Sequence, residues 1–188
     1  MDEELDKHVR IRVAVLRYNT NCHWITPNGP RDLDSLWFTR LNAGGNIMLG
    51  AALTALDAKL FTVGYDDDSA HYLGPVVFFI GGGWPQDDYI SALEDLRQNE
   101  WFAKAARIAF GIDRRPARDV LLELTESSKT VLCTSDYSVF AELLMQVTRL
   151  VCKRLSVPQF AAAQDVAIEA IAEAVRLMEG ADGIVKQS

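Results

Sequence analysis

Cysteine is scarce in this chain. Cys22, Cys133 and Cys152 are odd in number, far apart and include no Cys-x-x-Cys pair among 188 residues. That excludes a disulfide framework and suits reduced thiols in a cytoplasm. Positive charge is also short, with 19 Lys and Arg against 26 Asp and Glu and a formal net charge of −7. Nucleic acid is therefore not an expected partner, because phosphate binding rests on clustered Lys and Arg. No segment nears the roughly 18 unbroken apolar residues of a membrane span. The opening "MDEELDKHVR" is acidic and lacks an apolar core, so no signal peptide is read there. Histidine is rare, and His8 and His23 stand alone. No Ser/His/Asp or Cys/His set can be assembled, so no catalytic residue and no cofactor is nominated.

What is present is ordinary for a globular domain: 49% hydrophobic and 24% charged residues. The length fits one domain with a sizeable core. In "VRIRVAVLRY", Ile11, Val13 and Val15 alternate with Arg12 and Ala14, a strand signature. A polar turn at 19–21 leads into "CHWIT", which predicts an antiparallel hairpin ended by Pro27, Gly29 and Pro30. "RDLDSLWFTRLNAGG" reads as a connection whose Leu36, Trp37 and Leu41 pack inward. A helix is predicted from Ile47 to Leu60, with Leu49, Leu53, Leu56 and Leu60 on one face.

After that come "PVVFFI", "KAARIAFGI" and "TVLCT", short apolar runs of the kind buried on both faces of a parallel sheet. Helical segments separate or follow them: "DDYISALEDLRQN", "ARDVLLELTES" and "YSVFAELLMQVTRLVCKRL". The alternation predicts an α/β fold, a doubly wound, mostly parallel sheet flanked by helices. Ser156 to Pro158 form a hinge into a last helix with Phe160, Ala167, Ile171, Ala174 and Met178 on one side. The expected division is a domain over 1–155 and a C-terminal helical extension over 156–188 packed on or beside it.

One stretch asks for an explanation. "FFIGGGWPQDD" runs a buried strand into Gly81, Gly82 and Gly83, then Trp84, Pro85, Gln86 and an acidic pair, Asp87 and Asp88. Glycines at a strand end mean either that the backbone approaches something closely or that a functional side chain is missing.

Four strings in order, "IRVAVLRYNTNCHWITP", "AGGNIMLGAAL", "FFIGGGWPQDDY" and "WFAKAARIAFGID", resemble the von Willebrand factor A (vWA) domain. The likeness is to the bacterial form found in tellurium-resistance-type proteins and spans Val9 to about Leu150. The resemblance implies a site at the carboxyl ends of the strands. There the family holds a divalent ion, typically Mg²⁺, with an Asp-x-Ser-x-Ser loop, a Thr and an Asp, the oxygen ligands a hard cation requires. Aligned on those strings, the Thr position holds Ile47 and the Asp position Gly82. The serine loop would precede Val9, so the first strand and its loop are expected to be missing. The resemblance thus implies a degenerate site with no specific divalent metal, and it reads the glycines as a vacated ligand pocket.

The expected function is a non-enzymatic, cytoplasmic protein-interaction module of a bacterial stress or tellurium-resistance-type system. A protein partner or self-association is expected, with candidate contacts at Asn46, Trp84, Gln86, Asp87, Arg114 and Arg115. Trp84 reads equally as an interface anchor or as a lid over the pocket. The alternatives are a nucleotide or anion site at Gly81–Gly83, using the following helix N-terminus, or a partial protein whose sheet another chain completes. Against the anion site, "GGGWPQD" matches neither nucleotide-loop pattern and acidic residues follow it. Asp66, Asp67, Asp68 and His71 are read as a solvated acidic loop in preference to a cation site. Cys133 is read as a small buried hydrophobe, and Ser135, Asp136 and Ser138 as a helix cap.

Overall fold

A computed structural model describes residues 11–32, 35–36, 44–62, 75–113, 116–156 and 162–179. The chain divides into two compact units. A hairpin unit takes the described residues from 11 to 62 together with Trp84–Ala103, and a sheet unit takes 75–83 and the described residues from Lys104 onward.

In the hairpin unit, the alternating opening run forms two short strands, β1 (Arg12–Val13) and β2 (Leu16–Tyr18). β2 pairs antiparallel with β3 (Cys22–Trp24), Leu16 opposite Trp24 and Tyr18 opposite Cys22, as the hairpin pattern predicts. Asn19 makes the turn by accepting from the Asn21 N–H at 3.0 Å. The chain does not simply break at Pro27. It turns at Gly29, whose φ of 104° suits glycine, and returns as β4 (Arg31–Asp32) beside β1. Thr26 joins the two ladders. Its buried hydroxyl accepts from the Val15 N–H at 3.1 Å, between β1 and β2.

Helix α1 (Leu49–Thr62) begins two residues later than its apolar spacing suggests and buries Leu49 and Leu53. Against it lie α2 (Tyr89–Arg97) and the short α3 (Glu100–Ala103), which contribute Leu93, Leu96 and Phe102 to the core. Asn99 caps α3 by accepting from Trp101 N–H at 3.0 Å, and its amide donates to Asp57 of α1 at 2.8 Å. Leu36 is half-buried; Trp37 and Leu41 lie outside the described residues.

The sheet unit holds the three apolar runs as parallel strands in the order β5 (Val76–Gly81), β6 (Ala106–Ile112) and β7 (Val131–Thr134). Helices cover both faces. On one, Ile108 and Phe110 join Leu143, Val147 and Val151 of α5 (Tyr137–Leu155) and Ala167, Ala170, Ile171 and Ala174 of α6 (Ala163–Glu179). Phe110 stacks with Phe78 at 6.3 Å between centroids and meets Phe140 edge-on at 5.7 Å. On the other face α4 (Arg118–Thr125) approaches Gly111 so closely that a Cβ there would stand 3.0 Å from Leu121 Cδ1. The unit is therefore mixed α/β around a parallel sheet. No helix among the described residues is long and apolar enough to cross a membrane.

The helix that the sequence sets apart after residue 156 contributes six buried residues to this core, Val166 through Val175. It is also fastened to the sheet by a side chain. β7 begins opposite Ala109, two residues too late to pair with Arg107. Gln164 of α6 fills that place. Its Oε1 accepts from the Arg107 N–H at 2.7 Å, and its Nε2 donates to the Arg107 carbonyl and to Thr130 Oγ1, both at 3.2 Å. Arg154 of α5 adds charge-assisted bonds to Glu169 and Glu173 of α6, which draw the Glu173 carboxyl below its ordinary range. Replacing Gln164 by Leu leaves strand groups unpaired, and we expect a loss of about 1–3 kcal/mol of stability. Urea unfolding should show a lower midpoint with an unchanged slope.

Candidate functional site

Gly81 is the last residue of β5, Gly82 and Gly83 follow it in the sheet unit, and Trp84 is the first residue of the second segment of the hairpin unit.

Gly81 is still in the ladder, opposite Gly111. Gly82 then passes against the end of β6. A Cβ on Gly82 would stand 2.5 Å from the Ile112 carbonyl oxygen and 3.1 Å from Asp113 Cβ. The Gly82 carbonyl accepts from the Ala117 N–H, at 3.0 Å, just before α4. The position is no vacated pocket: it is filled by the protein's own backbone, and the absence of a side chain is what lets β5, β6 and the α4 entry converge. Of the two meanings of a strand-end glycine, close approach is the one seen, and a protein carbonyl is what is approached.

In the hairpin unit, residues 86–88 lie along the first turn of α1. The Gln86 N–H donates to the Ile47 carbonyl at 2.8 Å, and Asp87 Oδ2 accepts from the Ala51 N–H at 2.9 Å. A Cβ on Gly50 would stand 2.6 Å from the Asp88 carbonyl, so Gly50 permits this contact. Asp87 therefore satisfies an orphan donor and opposes the positive end of the α1 dipole. Its other oxygen, Oδ1, is buried with no hydrogen-bond partner. Asp88 caps α2 instead, accepting from Ser91 N–H at 3.2 Å and Ser91 Oγ at 2.8 Å. Those bonds hold its carboxyl below the ordinary range.

The candidate contact residues consequently fall into different roles. Asn46 is exposed, and its N–H donates to Thr20 Oγ1 at 3.0 Å. Gln86 is exposed and joined to α1 through its backbone. Asp87 is half-buried, committed to α1 and not available as a rim contact. Trp84 is 59% exposed, which does not suit a lid. Ile90, in the first turn of α2, is 44% exposed in the same unit, an apolar contact the sequence reading did not single out. Helical spacing does not reveal it, because only packing shows which apolar position of a short helix is left outside. Arg114 and Arg115 lie outside the described residues, as do Asp66, Asp67, Asp68, His71 and His8.

Burial raises the Cys22 thiol, with the nearby Asp87 charge adding to it, and burial also raises the Cys133 and Cys152 thiols. Cys133 is half-buried. Asp136 caps α5 by accepting from the Ser138 and Val139 N–H groups at 2.7 and 3.2 Å, with Ser135 and Ser138 beside it on the surface. Among the described residues, no three His, Cys, Asp or Glu side chains are grouped to hold a metal.

No protein-family model, no curated protein and no solved structure matches the chain.

The geometry at Gly82 carries a direct consequence. Gly82→Ala should destabilise the protein by about 1–3 kcal/mol, since a carbonyl on the β6 backbone must give way. Thermal unfolding should show this for Ala and at least as strongly for Asp. An unchanged midpoint for both would mean that the strand ends are not in contact.

Proposed function

We propose that this protein is a non-enzymatic interaction module of vWA type without the family's metal site, docking a protein partner through Trp84. The single observation behind it is the large exposed surface of Trp84, with exposed Ile90 in the same unit. Tryptophan is enriched among residues that dominate binding energy, and a side chain of this size left in water is a ready anchor. The vWA reading draws on the order of the four strings, two of which, "FFIGGGWPQDDY" and "WFAKAARIAFGID", begin and end around adjacent parallel strands. It places the protein in a bacterial, intracellular stress or tellurium-resistance-type assembly, which is what the resemblance implies.

The metal-free part of the reading rests on Ile47, which has no ligand atom, and on Gly82, which has no room for one. Titration calorimetry with Mg²⁺ or Mn²⁺ should give no saturable one-to-one heat. Micromolar binding would overturn this part of the proposal.

The anchor is tested by affinity capture from bacterial cells, followed by direct titration of the purified captured protein. Trp84→Ala should weaken that complex by about 2 kcal/mol or more, roughly thirtyfold, without lowering the melting temperature. Asp87→Ala is the contrasting variant: it should lower the melting temperature by uncapping α1. Unchanged affinity for Trp84→Ala would move the interface away from Trp84.

A further inference from the structure

We propose that Asn28 and Gly29 form a site of spontaneous covalent modification, where Asn28 loses its side-chain amide and part of the chain is rejoined as isoaspartate. Of the asparagines in the sequence, Asn28 alone precedes a glycine. After Asn19, Asn21, Asn42, Asn46 and Asn99 the next residue carries a Cβ, which crowds the approach to its backbone nitrogen. The structure leaves the pair open. Asn28 is exposed in a turn, and among the described residues no hydrogen bond holds its side-chain amide. Asn99, by contrast, is bonded through both its oxygen and its nitrogen. A Cβ on Gly29 would meet no atom within 4 Å, so that side of the backbone is clear. The Gly29 N–H makes one long turn bond, to the Thr26 carbonyl at 3.2 Å.

The chemistry needs only water. The Gly29 nitrogen gives its proton to solvent and attacks Asn28 Cγ, closing a succinimide ring. The Cγ–Nδ2 bond breaks, and ammonia leaves with a proton from solvent. Water then opens the ring at either of its carbonyls. Breaking the new N–Cγ bond leaves aspartate in an ordinary main chain. Breaking the original peptide bond instead leaves isoaspartate, whose main chain runs through the side-chain carbons. In sum, one amide and one water become one carboxylate and one ammonium ion.

The two products differ in what they do to the fold. The turn from Thr26 to Gly29 brings β4 back beside β1, where Arg12 pairs with Asp32 and Val13 with Arg31. Isoaspartate lengthens that turn by a main-chain carbon. A ladder this short has little to hold it in register, so β4 is released by local opening. The β2–β3 hairpin is complete before the turn and keeps its pairing. The aspartyl product keeps the main chain. Its carboxylate enters a turn whose flanking carbonyls already accept from cations, Pro27 from Lys59 Nζ at 3.0 Å and Pro30 from Arg12 Nη2 at 2.8 Å.

Peptide mapping by mass spectrometry of the full chain, incubated at neutral pH and sampled over days, tests this. A synthetic peptide of residues 24–32 serves as the unfolded clock. One turn hydrogen bond slows ring closure about tenfold at most. Residue 28 of the folded chain should therefore convert within that factor of the peptide, giving both aspartate and isoaspartate. Asn28→Gln, exposed and still an amide, should show no conversion. Hydrogen exchange on the separated products should show protection lost at 12–13 and 31–32 in the isoaspartyl form, with 16–24 unchanged. Asn28→Asp, which adds the charge without lengthening the chain, should keep that protection. Conversion more than about tenfold slower than in the peptide, conversion to aspartate alone, or an isoaspartyl form with β1–β4 still protected would each overturn the proposal.

Discussion

Strand β6 must be dry on both faces, and much of the sheet unit follows from that requirement. Ala106, Ile108 and Phe110 on one side and Ala109 and Gly111 on the other are all buried. A parallel strand in this position needs helices above and below it. On the wider side Phe110 is met by Phe78 and Phe140, and α5 and α6 close over the pair. On the other side Ala109 and Gly111 are small, and α4 descends to touch Gly111. The small residues Ala167, Ala170 and Ala174 perform the same service for α6, letting it settle close to α5 and the sheet.

Several polar side chains hold this arrangement together. Gln164 completes the β6 ladder where β7 has not begun. Thr26 accepts from the Val15 N–H between β1 and β2. Asp87, Asp88, Asn99 and Asp136 each serve a helix N-terminus. An acidic pair at a strand end looks, in isolation, like metal or acid–base chemistry. Here one carboxylate belongs to α1 and the other to α2. Among the described residues, the exposed large apolar side chains of the hairpin unit are Trp84 and Ile90.

Much of this architecture was legible in the residue pattern. The β2–β3 hairpin, the three parallel strands and the long helices follow from alternation, apolar runs and helical spacing, all set by neighbours a few positions away. The cap at Asp136 was legible for the same reason. Other features depend on residues far apart in the chain. β4 is a strand only because β1 lies beside it, and Arg31–Asp32 has no apolar pattern of its own. The different roles of Asp87 and Asp88 depend on the first turn of α1, 36 residues before Asp87. Gln164 is one polar residue in a helix until the gap beside Arg107, 57 positions away, gives it a role. Gly82 makes the same point most sharply. The sequence by itself left two readings of the strand-end glycine open, and only the tertiary structure chose close approach, because the Ile112 carbonyl that a Cβ would meet comes from another strand.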